Sequence, residues 1–294
     1  MQVNAWGYAA LFVLGLVFGS FFNVVIYRWP NEDPHEREWV RTPSHCPLCK
    51  QPIRWYDNIP LLSFVLLRGR CRHCHALISW RYPAVELGTA LLWMLTAWLV
   101  SRYGLTGVDV SRLTAWHYVF AVYFASLYML TIVIDLQTLQ IPDEITIVNL
   151  AGAWLFMLAC RGTTISPGWL PSVIGMFVLS GFFYLLTLLA RRQGGAMGLG
   201  DALLSIGLGA LFGWKLVVAL GFLAVLLGGA IAVPLLTWLL LTRRYRGLGA
   251  HPIPFGPFLA LSAYVCMFWG WDLVGWYVRT FHLQAVSSLH SAVH

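Results

Sequence analysis

The chain has 294 residues, of which 59% are hydrophobic, 15% aromatic and 11% charged, with a mean hydropathy of +0.70. A soluble globular protein carries about 25% charged residues to meet water, so this composition excludes a soluble enzyme, a disordered chain and a collagen-like one. The net charge of +7 would suggest nucleic acid in a soluble chain, but in a membrane chain its placement reports topology.

Eight apolar segments are predicted as helices, since about 20 apolar residues cross a hydrocarbon core of ~30 Å. In chain order they are 7–27, 84–101, 115–134, 145–160, 169–190, 202–213, 216–241 and 255–278. The predicted fold is therefore an all-α polytopic membrane protein of about eight transmembrane helices with a small zinc-binding loop module. Its parts are a first helix in 1–27, the module in 28–83 and a helical membrane domain in 84–294. The first segment lacks a basic leader and a small-residue cleavage site, and it runs straight into Tyr27-Arg28, so it is read as an anchor. The sixth is short, with its boundary placed at Gly213-Trp214-Lys215. Loops 28–83, 135–144, 191–201 and 242–254 hold fourteen of the nineteen Lys and Arg residues. The positive-inside rule puts these loops in the cytoplasm and both termini outside. Arg243-Arg244-Tyr245-Arg246 stops the seventh segment, and Gln193 to Gly200 reads as the most flexible inner loop. No repeat of fixed period is seen.

In the module, Cys46-Pro47-Leu48-Cys49 is followed by Cys71-Arg72-His73-Cys74. Two such knuckles can place four thiolates tetrahedrally around one Zn²⁺. Four thiolates leave no open position, so the expected zinc is structural. A cytosolic loop disfavours the disulfide alternative. A loop beside the membrane is expected to be basic, so no nucleic-acid partner is read from its charge. Cys160 and Cys266 lie in apolar segments and are expected to pack.

Outside that module the carboxylates stand out, because an ionised acid in or beside hydrocarbon is costly and marks function by default. Glu86, Asp135, Asp143, Glu144 and Asp201 are the informative ones. Asp143 after Ile141-Pro142, and Asp201 after Gly198-Leu199-Gly200, could each be a helix N-cap, and for these two capping and catalysis both remain open. Asp135 ends an apolar run, where a helix C-terminus disfavours negative charge. The topology delivers Asp135 and Asp201 to one membrane face. Two adjacent acids share a proton, so one serves as base and the other as acid. Gly198 and Gly200 would let backbone or an extended substrate approach closely.

These residues in this order resemble the type IV prepilin leader peptidase and N-methyltransferase family, membrane aspartyl peptidases with a Gly-x-Gly-Asp motif. The resemblance covers most of the chain. It runs from Gly19-Ser20-Phe21-Phe22-Asn23 through the cysteine knuckles and Tyr56-Asp57-Asn58-Ile59-Pro60, to Arg81-Tyr82-Pro83-Ala84-Val85-Glu86. It continues with Asp135, Ile141-Pro142-Asp143, Gly198-Leu199-Gly200-Asp201 and Pro254-Phe255-Gly256-Pro257-Phe258. It implies Asp135 and Asp201 as the catalytic pair, with Asp143, Gly198 and Gly200 auxiliary. It implies removal of a short basic leader from prepilins or type II secretion pseudopilins at the cytoplasmic face of the bacterial inner membrane. It also implies methylation of the new amino terminus with S-adenosylmethionine, through the first segment and the cysteine loop. Asn23, Tyr82 and Glu86, polar groups beside apolar segments, are the candidates for that step, with a helix-dipole role open for Glu86. Many relatives carry Lys two residues after the second aspartate, where this chain has Leu203. An ion-coupled transporter would instead string its acids across the membrane, and a non-catalytic assembly protein would leave Asp135 unexplained.

Overall fold

The computed structural model describes residues 3–29, 43–160, 163–165, 168–192, 198–242 and 254–280. The start of the module, residues 193–197 of the 193–200 loop and the Arg243–Arg246 cluster lie outside the described residues. The described chain is helical, with strand-like contact limited to three isolated bridges. Its helices are α1 Ala5–Arg28, α2 Leu62–Leu66, α3 Arg81–Tyr103, α4 Ala115–Thr138, α5 Asp143–Ala159, α6 Trp169–Arg192, α7 Leu199–Leu241 and α8 Gly256–Thr280. Among the described residues, α1, α3, α4, α6, α7 and α8 are long and apolar enough to cross a membrane. The α5 helix has 17 residues, just short of that length. The protein is a multi-pass membrane protein.

Its surface is the reverse of a soluble protein's, while its interior is an apolar core that includes Phe124, Phe183, Leu208 and Leu220. Large apolar side chains such as Val13, Val17, Phe177 and Val218 face outward, where lipid removes the cost of exposing them. Thr89, Thr131, Thr187 and Ser205 are fully buried, and each hydroxyl donates to the carbonyl four residues earlier, so no donor is stranded in hydrocarbon. Polar bonds also tie helices together: Trp93 Nε1 donates to Ser126 Oγ at 2.9 Å, and Thr96 meets the Tyr264 hydroxyl at 3.0 Å. Small residues set the closest crossings. A Cβ on Gly15 would lie 2.6 Å from Ala90 Cα, and one on Gly19 would lie 2.6 Å from Glu86 Cα, so Gly15-Leu16-Val17-Phe18-Gly19 lets α1 and α3 touch backbone to backbone.

The α7 helix settles the sixth and seventh segments. Gly213 interrupts it at φ 69°, ψ 167°, a conformation open to glycine and costly for other residues. Asp201 near the start of α7 interacts with Asp135, whose neighbour is Gly256 at the start of α8. Leu216 packs on Gly270, well along α8, yet Gly228 packs on Phe255 and Phe258, back at its start. A straight helix would separate residues 201 and 228 by about 40 Å. Both sit at the same end of α8, so α7 is a hairpin of two antiparallel legs that reverses at Gly213. Among the described residues, the two legs and the other six long helices lie along the eight expected apolar segments. The first leg has about 14 residues and a length near 21 Å, which is why it looked short in sequence. Gly175 of α6 seats this leg, since a Cβ on Gly209 would lie 2.4 Å from the Gly175 carbonyl oxygen.

A topology reporter fused after Arg192 and after Thr242 is expected on one side of the membrane, and one fused after Trp214 on the other. A continuous α7 rod would instead put the Arg192 and Thr242 fusions on opposite sides.

Candidate active site

The hairpin and the α4–α5 turn bring two carboxylates together. Asp135 lies in the last turn of α4, and Asp201 is the third residue of α7. Asp135 is 4% exposed and Asp201 7%, and their carboxyl groups interact electrostatically. Asp201 is thus inside its helix and buried, which excludes the capping alternative. Asp143 behaves differently. It is the first residue of α5, Pro142 occupies the cap position, and its side chain is exposed, so its charge favours the helix start while it stays apart from the buried pair.

The walls of this site are close. Leu139, left-handed at φ 56°, turns the chain after α4, and its N–H returns to the Asp135 carbonyl at 2.8 Å. Ile141 is then wedged between two glycines: a Cβ on Gly200 would lie 3.0 Å from Ile141 Cβ, and one on Gly256 would lie 2.9 Å from its Cδ1. Gly198 stands exposed just before α7, and Leu203 is on an exposed face of that helix. The Gly256 N–H approaches the Asp135 carboxyl, and a Cβ there would come within 2.6 Å of Oδ2. That Oδ2 is buried and meets no hydrogen-bond partner among the described residues. Paired acids of this kind can take a proton from water on one oxygen and deliver one to a leaving amine from another.

At the same end of the bundle the cysteine module folds as two matching knuckles. Cys46 N–H donates to Gln51 and Lys50 N–H to Cys46, while Cys71 N–H donates to Ala76 and His75 N–H to Cys71. Lys50 and His75 share a positive φ of 56° and 55°. The four sulfurs lie within 4.8 Å of one another, Cys46 Sγ and Cys74 Sγ being 3.8 Å apart. Tetrahedral ligation at a Zn–S distance of ~2.3 Å needs an S···S edge of about 3.8 Å, whereas a disulfide needs about 2.05 Å. The Cys74 and His73 N–H groups converge on Cys71 and lower its thiol to about 7. Cys74 moves the other way: the Ala76 N–H lowers it, but desolvation and the adjacent sulfurs push it up to about 11. Four thiols this close shed their protons together only around a cation. Arg72 braces the module with a bidentate pair to Asp57 at 2.6 and 2.8 Å, which holds the Asp57 carboxyl below the usual carboxylate range.

Asn23, Tyr82 and Glu86 also come together, around a cavity of about 440 Å³ beneath the module. Asn23 Nδ2 donates to the Tyr82 carbonyl at 2.9 Å. Glu86 is the sixth residue of α3, past the turn where a helix dipole acts. It is 8% exposed, and its Oε2 accepts from the Leu61 N–H at 2.8 Å. Sequence reasoning missed Leu61, Ser20, Arg81 and Gln137, which join these groups across distant parts of the chain. No local pattern announces such contacts. Cys160 and Cys266 are buried packing residues, as expected.

Two families match the chain: the bacterial peptidase A24 N-terminal domain over residues 13–100, and the type IV leader peptidase family over residues 121–233. A prepilin leader peptidase/N-methyltransferase of Aeromonas hydrophila is 33% identical over 94% of this chain and 96% of its own length. Proteins of the same name from Dickeya chrysanthemi and Klebsiella pneumoniae are 35% and 36% identical, over 86% and 71% of this chain and 89% and 86% of their own lengths. No solved structure matches. The second of these matches spans α4 through the hairpin, with both buried aspartates inside it, and the chain belongs to the type IV leader peptidase family.

Proposed function

We propose that this protein removes the leader from prepilins or pseudopilins and then methylates the amino terminus so exposed, as the names of its relatives describe. The observation that carries this reading is the buried Asp135–Asp201 pair at the module end of the bundle. One aspartate takes a proton from water, whose oxygen attacks the scissile carbonyl, and its partner protonates the departing nitrogen. Gly256 positions the first carboxylate through its N–H, and Gly198 and Gly200 leave room for an extended substrate. Asp143 is auxiliary, at the rim. The lysine and arginine bias supports a cytoplasmic orientation for this end, in the bacterial inner membrane that the family resemblance implies.

The module in 28–83 is assigned to methylation together with the adjoining ends of α1 and α3, and the aspartate-bearing helices farther along the chain are assigned to cleavage. S-adenosylmethionine, when bound, supplies the methyl group from its sulfonium carbon. Asn23, Tyr82 and Glu86 are the residues of this chain assigned to that step. Zn²⁺ is assigned to Cys46, Cys49, Cys71 and Cys74, on the strength of the 3.8 Å sulfur spacing, as a structural ion that stands in for a core the module is too small to build.

Asp135→Asn and Asp201→Asn are each expected to abolish leader removal while the protein still methylates a pilin already cleaved. Asp143→Asn is expected to stay near the wild-type rate, because its side chain is exposed and losing its charge removes only a small favourable contribution at the helix start. Cleavage assays on purified protein check this, and normal processing by Asp135→Asn would refute the aspartyl mechanism. Metal analysis is expected to give one zinc per chain. Removing the zinc with a chelator, or changing Cys71→Ser, is expected to suppress methylation more than cleavage, since the aspartates ride on membrane helices. Equal loss of both activities would contradict that division of labour.

A further inference from the structure

The cavity under the module has a chemistry of its own, and its interpretation rests on the methylation half of the proposed function. Its 440 Å³ falls in the ordinary range for small-molecule sites, about 300–1,000 Å³. Ser20, Asn23, Tyr27, Arg81, Tyr82 and Glu86 are among its lining residues. Two buried polar atoms of that lining meet no hydrogen-bond partner among the described residues: the acceptor Asn23 Oδ1 and the donor Arg81 Nε. Asn23 is 2% exposed, and its amide nitrogen is already committed to the Tyr82 carbonyl. The oxygen is thus fixed in place as an acceptor. Buried atoms left unpaired in this way are costly unless a ligand completes them.

Among the described residues, the module side of the cavity carries His45, His73 and the sulfurs of Cys46 and Cys71, with His45 Nδ1 3.2 Å from the Pro43 carbonyl oxygen. Glu86 is held by the Leu61 N–H and the Ser20 side chain. Leu61 adopts a φ of 57° to make that bond, a left-handed conformation that is strained for a leucine. Arg81 stands over the Tyr82 ring, 5.5 Å from its centroid. Arg28 bonds the Pro43 carbonyl, and Asp57 and Arg72 neutralise each other. Toward α1 and α3 the described residues offer a ligand one carboxylate with an amide acceptor, one guanidinium edge and two tyrosine rings in a largely apolar space. A molecule with a carboxylate, cationic centres and an aromatic base answers all of these groups at once.

We propose that this cavity is the S-adenosylmethionine site, with Arg81 taking the donor's carboxylate and Glu86 and Asn23 Oδ1 facing its cationic atoms. The cavity lies at the same end of the bundle as the aspartate pair: Arg81 Nη1 donates to Gln137 Oε1 at 3.1 Å, and Gln137 is in the last turn of α4, as Asp135 is.

Calorimetric titration of the full chain in lipid nanodiscs with S-adenosylmethionine, and separately with S-adenosylhomocysteine, tests the assignment. The wild type is expected to bind both, the cationic donor more tightly. Glu86→Gln is expected to weaken the donor at least tenfold and to erase its preference over the neutral thioether. Val24→Phe fills the cavity without touching those hydrogen bonds, and is expected to weaken both ligands. Asp272→Asn, at the far end of the bundle, is expected to bind as the wild type. Unfolding temperature and zinc content serve as the folding control. Wild-type affinity in both Glu86→Gln and Val24→Phe, in a protein that methylates a pre-cleaved pilin, would overturn the cavity assignment alone. A wild type that cleaves but neither methylates nor binds the donor would overturn the methylation reading beneath it.

Discussion

Two carboxylates held side by side in an apolar bundle are the constraint around which the rest of the structure is arranged. Carboxylates resist such burial, and two together resist it more, so the fold must hold both in place. It does so with backbone geometry. Leu139 turns α4 back on itself just beyond Asp135, Gly213 returns the chain after one short leg, and Gly256 starts α8 against the Asp135 carboxyl. Each is a place where a bulkier or stiffer residue would push the two acids apart. The hairpin matters most, since it lets the short leg carrying Asp201 lie between α6 and α5. Gly175 faces that leg on one side, and Asn149 packs on Gly207 at the other.

The same end of the bundle gathers the second chemistry. Close packing of α1 on α3 at Gly15 and Gly19 brings Asn23 and Glu86 into one wall, and the cysteine module closes over them through the Leu61–Glu86 bond. The cysteine module and its cavity meet the aspartate-bearing α4 at one end of the bundle, through the Arg81–Gln137 contact.

Much of this was legible in the sequence, for identifiable reasons. Lipid contact demands long apolar runs, so the helices declared themselves, even the short leg ending at Gly213. Thiolate ligation demands paired Cys-x-x-Cys, so the four-cysteine cluster did too. Asp135 was conspicuous because nothing local could use its charge, whereas Asp201 needed the fold to show that it lies inside its helix. What the sequence hid was tertiary. Beyond their cysteines, the matching knuckles share hydrogen bonds and φ angles rather than side chains, so their structural likeness was not visible. The left-handed Leu61 carries no residue-type signature, and the Gly256 contact joins α4 to α8 across more than a hundred residues. The dipole role open for Glu86 gave way to a bond from a loop twenty-five residues earlier.

The central claim is that one chain performs both steps at one end of the bundle. It is tested most directly by incubating the purified wild type with a prepilin in detergent, with and without S-adenosylmethionine, and measuring the product's amino terminus by mass spectrometry. The account predicts a leaderless product in both reactions, one methyl group heavier only when the donor is present. A full-length prepilin in both reactions would contradict it.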